Sequence, residues 1–223
     1  MANKYNTIIF DLDGTLLDTA SDLQNAMNLT MNHYGFPTHS RENIISFIND
    51  GARMLVTRAL PESEREEKRV SEILKTYLEM YDKYPNEKTT AYEGVVDLVK
   101  QLKIQGYKLA VVSNKPDRHT KLLAKFYFGE DTFDYVSGSG DDLPRKPDRL
   151  CIDLALEKMG CCDRKKVLFV GDSHVDITTA KNAQVDCVGV TWGFHGKNGF
   201  RDTVPNFYAD NTQKLYDIIA GRV

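Results

Sequence analysis

The chain has 223 residues, 41% of them hydrophobic, with 29 Lys and Arg against 32 Asp and Glu and a net charge of -3. That length accommodates one full core plus an insertion rather than two large domains. The near-balanced charge, without a basic stripe or block, argues against nucleic acid as a partner and for small molecules.

Met1-Ala2-Asn3-Lys4-Tyr5 runs directly into an apolar stretch, and no segment has the form of a signal peptide or the length of a membrane span. No membrane association and a cytoplasmic location are therefore expected. Thr7-Ile8-Ile9-Phe10 reads as a strand buried on both faces, which delivers the acids of Asp11-Leu12-Asp13-Gly14-Thr15 to its end. Two carboxylates side by side where a core ends are costly unless a cation or a reacting group compensates them, and a bound Mg²⁺ would do so.

From Asp18 to Pro85 the chain holds helical periodicities and no convincing strand. Thr19-Ala20-Ser21-Asp22 reads as a capping box opening a helix with Leu23, Ala26, Met27, Thr30, Met31 and Tyr34 on one face. A second long helix carries Val70, Ile73, Leu74, Tyr77, Leu78 and Tyr81 behind the mixed-charge run 62–69, which reads as a solvated helix start.

Buried-strand runs recur at 109–112, 167–170 and 188–190, followed by Ser113, by Asp172 after Gly171, and by Thr191. Helical spacings at 92–102, before Gly106, and of Leu150, Cys151, Leu154 and Met159, before Gly160, have the length of crossover connections, and a last helix covers 212–220. The pattern predicts an α/β fold: a doubly wound parallel sheet formed by residues 1–17 and 86–223, with an inserted all-helical cap over 18–85. In such sheets ligands sit outside the carboxyl ends of the strands, so Asp11, Ser113, Asp172 and Thr191 should converge at one edge. Cys151, Cys161, Cys162 and Cys187 form no C-x-x-C and read as reduced thiols, Cys151 and Cys187 packing as small apolar residues.

Asp11-Leu12-Asp13-Gly14-Thr15-Leu16-Leu17-Asp18-Thr19 resembles the first motif of the haloacid dehalogenase superfamily of phosphohydrolases. Val111-Val112-Ser113-Asn114 resembles its second motif, Arg145-Lys146-Pro147-Asp148 its third and Gly171-Asp172-Ser173-His174-Val175-Asp176 its fourth, in the required order. The resemblance implies that Asp11 attacks phosphorus to form an aspartyl phosphate and that Asp13 serves as general acid and then general base. It implies Mg²⁺ held by Asp11, by the backbone carbonyl of Asp13 and by Asp172, with Ser113 and Asn114 on the phosphoryl group and Lys146 neutralising charge. Lys146 is placed at a helix start before Pro147, and Asp176, one helical turn beyond Asp172, is given a supporting role. Trp192, in Thr191-Trp192-Gly193-Phe194, is expected to pack near the mouth of the site.

Within the superfamily, the segment 49–60 and Asp142-Leu143-Pro144 are similar to phosphoglycolate phosphatases, and Arg53 is the residue expected to pair with a substrate carboxylate. A small phosphorylated metabolite is the expected partner, and oligomeric state stays open between monomer and dimer. A β-phosphoglucomutase-like phosphotransferase, a pyrophosphatase and a sugar phosphatase remain enzymatic alternatives. A receiver-like signalling domain and a pseudophosphatase binding module are the non-enzymatic ones.

Overall fold

The computed structural model describes residues 4–140 and 142–222. Met1 to Asn3, part of the start considered above, lie outside the described residues. The chain forms two compact units, Met1–Asp18 with Ala91–Val223, and Thr19–Thr90.

In the first unit, strands β1 (Thr7–Phe10), β4 (Lys108–Pro116), β5 (Tyr135–Ser139), β6 (Val167–Gly171), β7 (Asp186–Val190) and β8 (Phe207–Ala209) form a parallel sheet in the order β5-β4-β1-β6-β7-β8. Strand order reverses around β1, and Phe10 is in register with both Val111 and Val170. Whatever follows those three positions therefore emerges at one edge, the crevice where ligands bind in open α/β sheets.

Each strand splits its side chains between two cores, as the period of two demands. Ile8, Phe10, Leu109, Val111, Leu168 and Val170 pack on one face, with Leu98, Val99 and Leu102 of α5 (Val95–Ile104), Leu123 of α6 (Asp117–Phe128) and Leu215 of α9 (Thr212–Ile219). Ile9, Ala110, Val112 and Phe169 pack on the other, with Ile152 and Leu156 of α7 (Leu150–Lys158) and Ile177 and Ala180 of α8 (His174–Ala183). Helices on both faces explain why the strands read as unbroken apolar runs.

The second unit consists of α1 (Ala20–Tyr34), α2 (Arg41–Phe47), α3 (Gly51–Ala59) and α4 (Glu67–Lys83) around Leu23, Met27, Met31, Val56, Ile73, Tyr77 and Tyr81. Short strands β2 (Leu17–Asp18) and β3 (Thr90–Ala91) pair where the chain passes from one unit to the other.

Several local expectations are corrected. Thr19 stands at the start of α1 with helical dihedrals and makes no side-chain cap bond, so the predicted capping box does not form. Asp22 instead accepts hydrogen bonds from the Lys88 and Thr89 backbone N–H groups and from Thr89 Oγ1 at 2.6–3.0 Å. In α7 the buried stripe is Cys151, Ile152, Ala155 and Leu156, whereas Leu150 is 52% exposed. Strands β5 and β8, of sequence YVSGS and FYA, carry too little hydrophobic pattern to be read in advance.

Candidate active site

Asp11 follows β1 directly, and its N–H still donates to the Val170 carbonyl at 2.9 Å, so the sheet ladder fixes the residue's backbone. The next six residues turn back on themselves: the N–H groups of Leu16 and Leu17 both donate to Leu12 O, while Leu12, Leu16 and Leu17 are buried in the core beneath. Gly14 makes this turn possible. Its φ of +84° suits glycine, and a Cβ there would lie 2.3 Å from Asp172 Oδ2.

Asp172 leaves the neighbouring strand β6 at the same edge. It precedes α8 rather than lying on it, and Ser173 is the helix N-cap in a reciprocal capping box with Asp176. The cap turns Asp176 inward: its Oδ2 accepts from Ser173 N (3.0 Å) and Ser173 Oγ (2.7 Å), leaving Oδ1 for Lys146. Lys146 Nζ bridges Asp11 Oδ1 at 2.8 Å and Asp176 Oδ1 at 2.7 Å. The lysine lies in the loop ahead of α7, which begins only at Leu150, so the expected helix start at Lys146 is corrected. Asn114 Nδ2 donates to the Lys146 carbonyl at 3.0 Å, and Ser139 Oγ donates to the Asn114 carbonyl at 2.8 Å. The end of β4 thus holds the lysine loop in place.

Asp11, Asp172 and Asp176 are all buried, and one oxygen from each lies within 4.8 Å of the others. Asp13 points its carboxylate elsewhere, to Lys115 Nζ at 3.1 and 3.2 Å, and the Lys115 side chain is only 1% exposed. Lys115 is the site residue that motif reading overlooked. It follows Ser113 and Asn114 at the end of the buried strand β4, and a lysine in that place was the available signal. Ser113 is buried, with its Oγ accepting from Lys115 N at 3.3 Å. Arg53, by contrast, is an exposed residue of α3 in the second unit, where Nη1 donates to Ser71 Oγ at 3.1 Å.

Four buried carboxylates, Asp11, Asp13, Asp172 and Asp176, face two buried ammonium groups, Lys115 and Lys146. Full ionisation leaves two negative charges over. Burial, opposed by Lys146 and reinforced by Asp176 and Asp13, pushes the Asp11 carboxyl up from 3.8 to about 7. Burial, reinforced by Asp176 and Asp11, likewise holds Asp172 well above the ordinary carboxylate range. Burial works against the charge of Lys146, but Asp11 and Asp176 outweigh it and raise the ammonium above the usual lysine value. An all-oxygen donor set with an excess of two negative charges fits a hard divalent cation.

A pH dependence follows. Without a cation, the folded protein keeps protons that the unfolded chain releases, so stability should fall as pH rises from about 4 toward about 7. A divalent cation displaces those protons, so its affinity should climb over the same window. Thermal melts in EDTA and in excess MgCl₂, from about pH 5 to about pH 8, should diverge with rising pH. Parallel curves would rule out the acidic cluster as the cation site.

The chain matches the family described as haloacid dehalogenase-like hydrolase over residues 8–190. It is 33% identical over 219 residues to a phosphoglycolate phosphatase of Psychrobacter arcticus, covering 95% of this chain and 94% of that one. It is 36% identical over 214 residues to phosphoglycolate phosphatase 1 of Pseudomonas aeruginosa, covering 93% and 77%. The crystal structure of a candidate phosphoglycolate phosphatase from Lactobacillus delbrueckii subsp. bulgaricus superposes with a TM-score of 0.90 at 31% identity, over 98% of this chain and 99% of that one.

Proposed function

The chain belongs to the haloacid dehalogenase-like hydrolases, and on that footing we propose that it is a Mg²⁺-dependent phosphatase whose substrate is phosphoglycolate. One observation carries the chemical reading: Lys146 bridges two members of a buried three-carboxylate cluster at the edge where β1, β4 and β6 end.

In this reading an oxygen of Asp11 attacks phosphorus in line as the ester P–O bond breaks, and Asp13 gives a proton to the departing oxygen. Water then attacks phosphorus of the aspartyl phosphate while Asp13 takes its proton, and the bond from phosphorus to the Asp11 oxygen breaks, releasing inorganic phosphate and restoring Asp11 as carboxylate and Asp13 as the protonated acid. Asp11, Asp172 and the Asp13 backbone carbonyl would hold Mg²⁺, whose charge offsets that of the phosphoryl oxygens. Ser113 and Asn114 hydrogen-bond the phosphoryl group, Lys146 neutralises it and Asp11, and Asp176 keeps Lys146 aimed.

Residues 1–17 with 86–223 are the catalytic core in this proposal, and residues 18–85 are a cap that selects the substrate, Arg53 pairing with its carboxylate. The setting is cytoplasmic, for which the free thiols of Cys151, Cys161, Cys162 and Cys187 speak.

The test is kcat/KM over a panel of phosphoglycolate, pyrophosphate, hexose phosphates and p-nitrophenyl phosphate, with Mg²⁺ and with EDTA. Phosphoglycolate should be preferred, and EDTA should abolish turnover. Preference for pyrophosphate or a sugar phosphate, or transfer between sugar hydroxyls, would replace the substrate assignment; turnover unaffected by EDTA would end the metal assignment. Arg53→Ala should raise KM for phosphoglycolate about 10-fold or more and leave p-nitrophenyl phosphate unchanged.

A further inference from the structure

The segment after β7 does more than connect it to β8. Strand β7 lies beside β6, with Gly189 in register with Gly171, so the residues following Val190 cross the sheet edge next to Asp172. There the Phe194 N–H donates to Asp172 Oδ2 at 3.2 Å. The other carboxylate oxygen accepts from Thr15 Oγ1 at 3.4 Å, and Trp192 Nε1 donates to the Thr15 carbonyl at 3.0 Å. Trp192 also packs against the core that holds Leu12 and Leu16, so the indole ties the strap to the turn that begins at Asp11.

Gly193 sits where no side chain fits. A Cβ there would lie 2.4 Å from both Asp172 Cβ and Asp172 Oδ2, and 2.6 Å from the Gly14 carbonyl. Two of those atoms belong to a buried carboxylate side chain wedged between strap and turn, and the third is backbone. The requirement is for space alone, since Gly193 is not among the positive-φ residues.

We propose that Trp192-Gly193-Phe194 is a positioning strap for the cation-binding carboxylate of Asp172. Phe194 N–H sets the direction of the carboxylate, Gly193 gives it room, and Trp192 locks the strap to the Asp13-Gly14-Thr15 turn. The inference rests on the assignment of Asp172 to the divalent cation.

Titration of the purified protein with MgCl₂ by calorimetry, and with MnCl₂ by electron paramagnetic resonance, tests the strap without reference to turnover. Gly193→Ala should keep the wild-type circular dichroism and weaken both cations about 10- to 100-fold, the range in which outer partners of metal ligands act. Its turnover should recover as Mg²⁺ is raised, which a general structural defect would not allow. Trp192→Phe keeps the ring, removes one hydrogen bond and should weaken binding less than Gly193→Ala does. Wild-type affinity in a folded Gly193→Ala protein would overturn the proposal. If that variant does not fold, an unchanged dissociation constant in Trp192→Phe overturns it. Asp172→Ala separates the two claims: if it still binds Mg²⁺ normally, the assignment of Asp172 fails and the strap proposal falls with it.

Discussion

Asp11→Asn should lower kcat for any phosphate ester by at least about 10⁴-fold and leave the protein folded. The amide keeps the shape of the side chain but removes the oxygen nucleophile, and no other described carboxylate takes its position at the end of β1. Asp13 is held by Lys115, and Asp176 is committed on both oxygens to Ser173 and Lys146. The same change removes one of the mutually repelling acids, so the cation-free variant should melt no lower than the cation-free wild type at about pH 7.5. Acid-quenched protein exposed to labelled substrate should carry phosphate on the wild type and none on the variant. Residual activity above about 1% of wild type would remove Asp11 from the role of nucleophile.

Lys146→Met should damage both stability and turnover. The ammonium is buried between Asp11 and Asp176 at ion-pair distance, and its loss leaves buried carboxylates without their shared cation. Breaking a buried pair by removing one partner typically costs about 3–5 kcal/mol, readable as a shift in the urea midpoint. Part of that loss should return at lower pH, where the stranded acids take up protons, because a carboxylate with a raised pKa favours the folded state below that pKa. Loss of the charge opposite the transferring phosphoryl group should cost kcat/KM about 10²- to 10³-fold beyond the stability effect. A variant with wild-type kcat/KM at every Mg²⁺ concentration would exclude Lys146 from the chemistry.

How far such a site can be read in advance differs from element to element. The central strands were legible because burial on both faces leaves a run of apolar residues with a polar residue at its end, and Asp11, Ser113 and Asp172 were found by that rule. Edge strand β5 was not, because YVSGS has small polar residues where pattern reading needs large apolar ones. The cap at Thr19 failed for a different reason: a short polar run is compatible with several local bonds, and Asp22 found a stronger use at the returning chain.

Local order along the chain determined the central strands and the long helices, which chemistry arrives at the sheet edge and, through the four motifs, the family. Tertiary structure alone decided that Asp13 meets Lys115, that Asp176 turns through its cap toward Lys146, and that Gly193 abuts Asp172. Those partners are far apart in sequence, or are aimed by a turn whose direction depends on what it packs against. Strand order and register, products of the whole sheet, set the distances between them, and no local pattern encodes those distances.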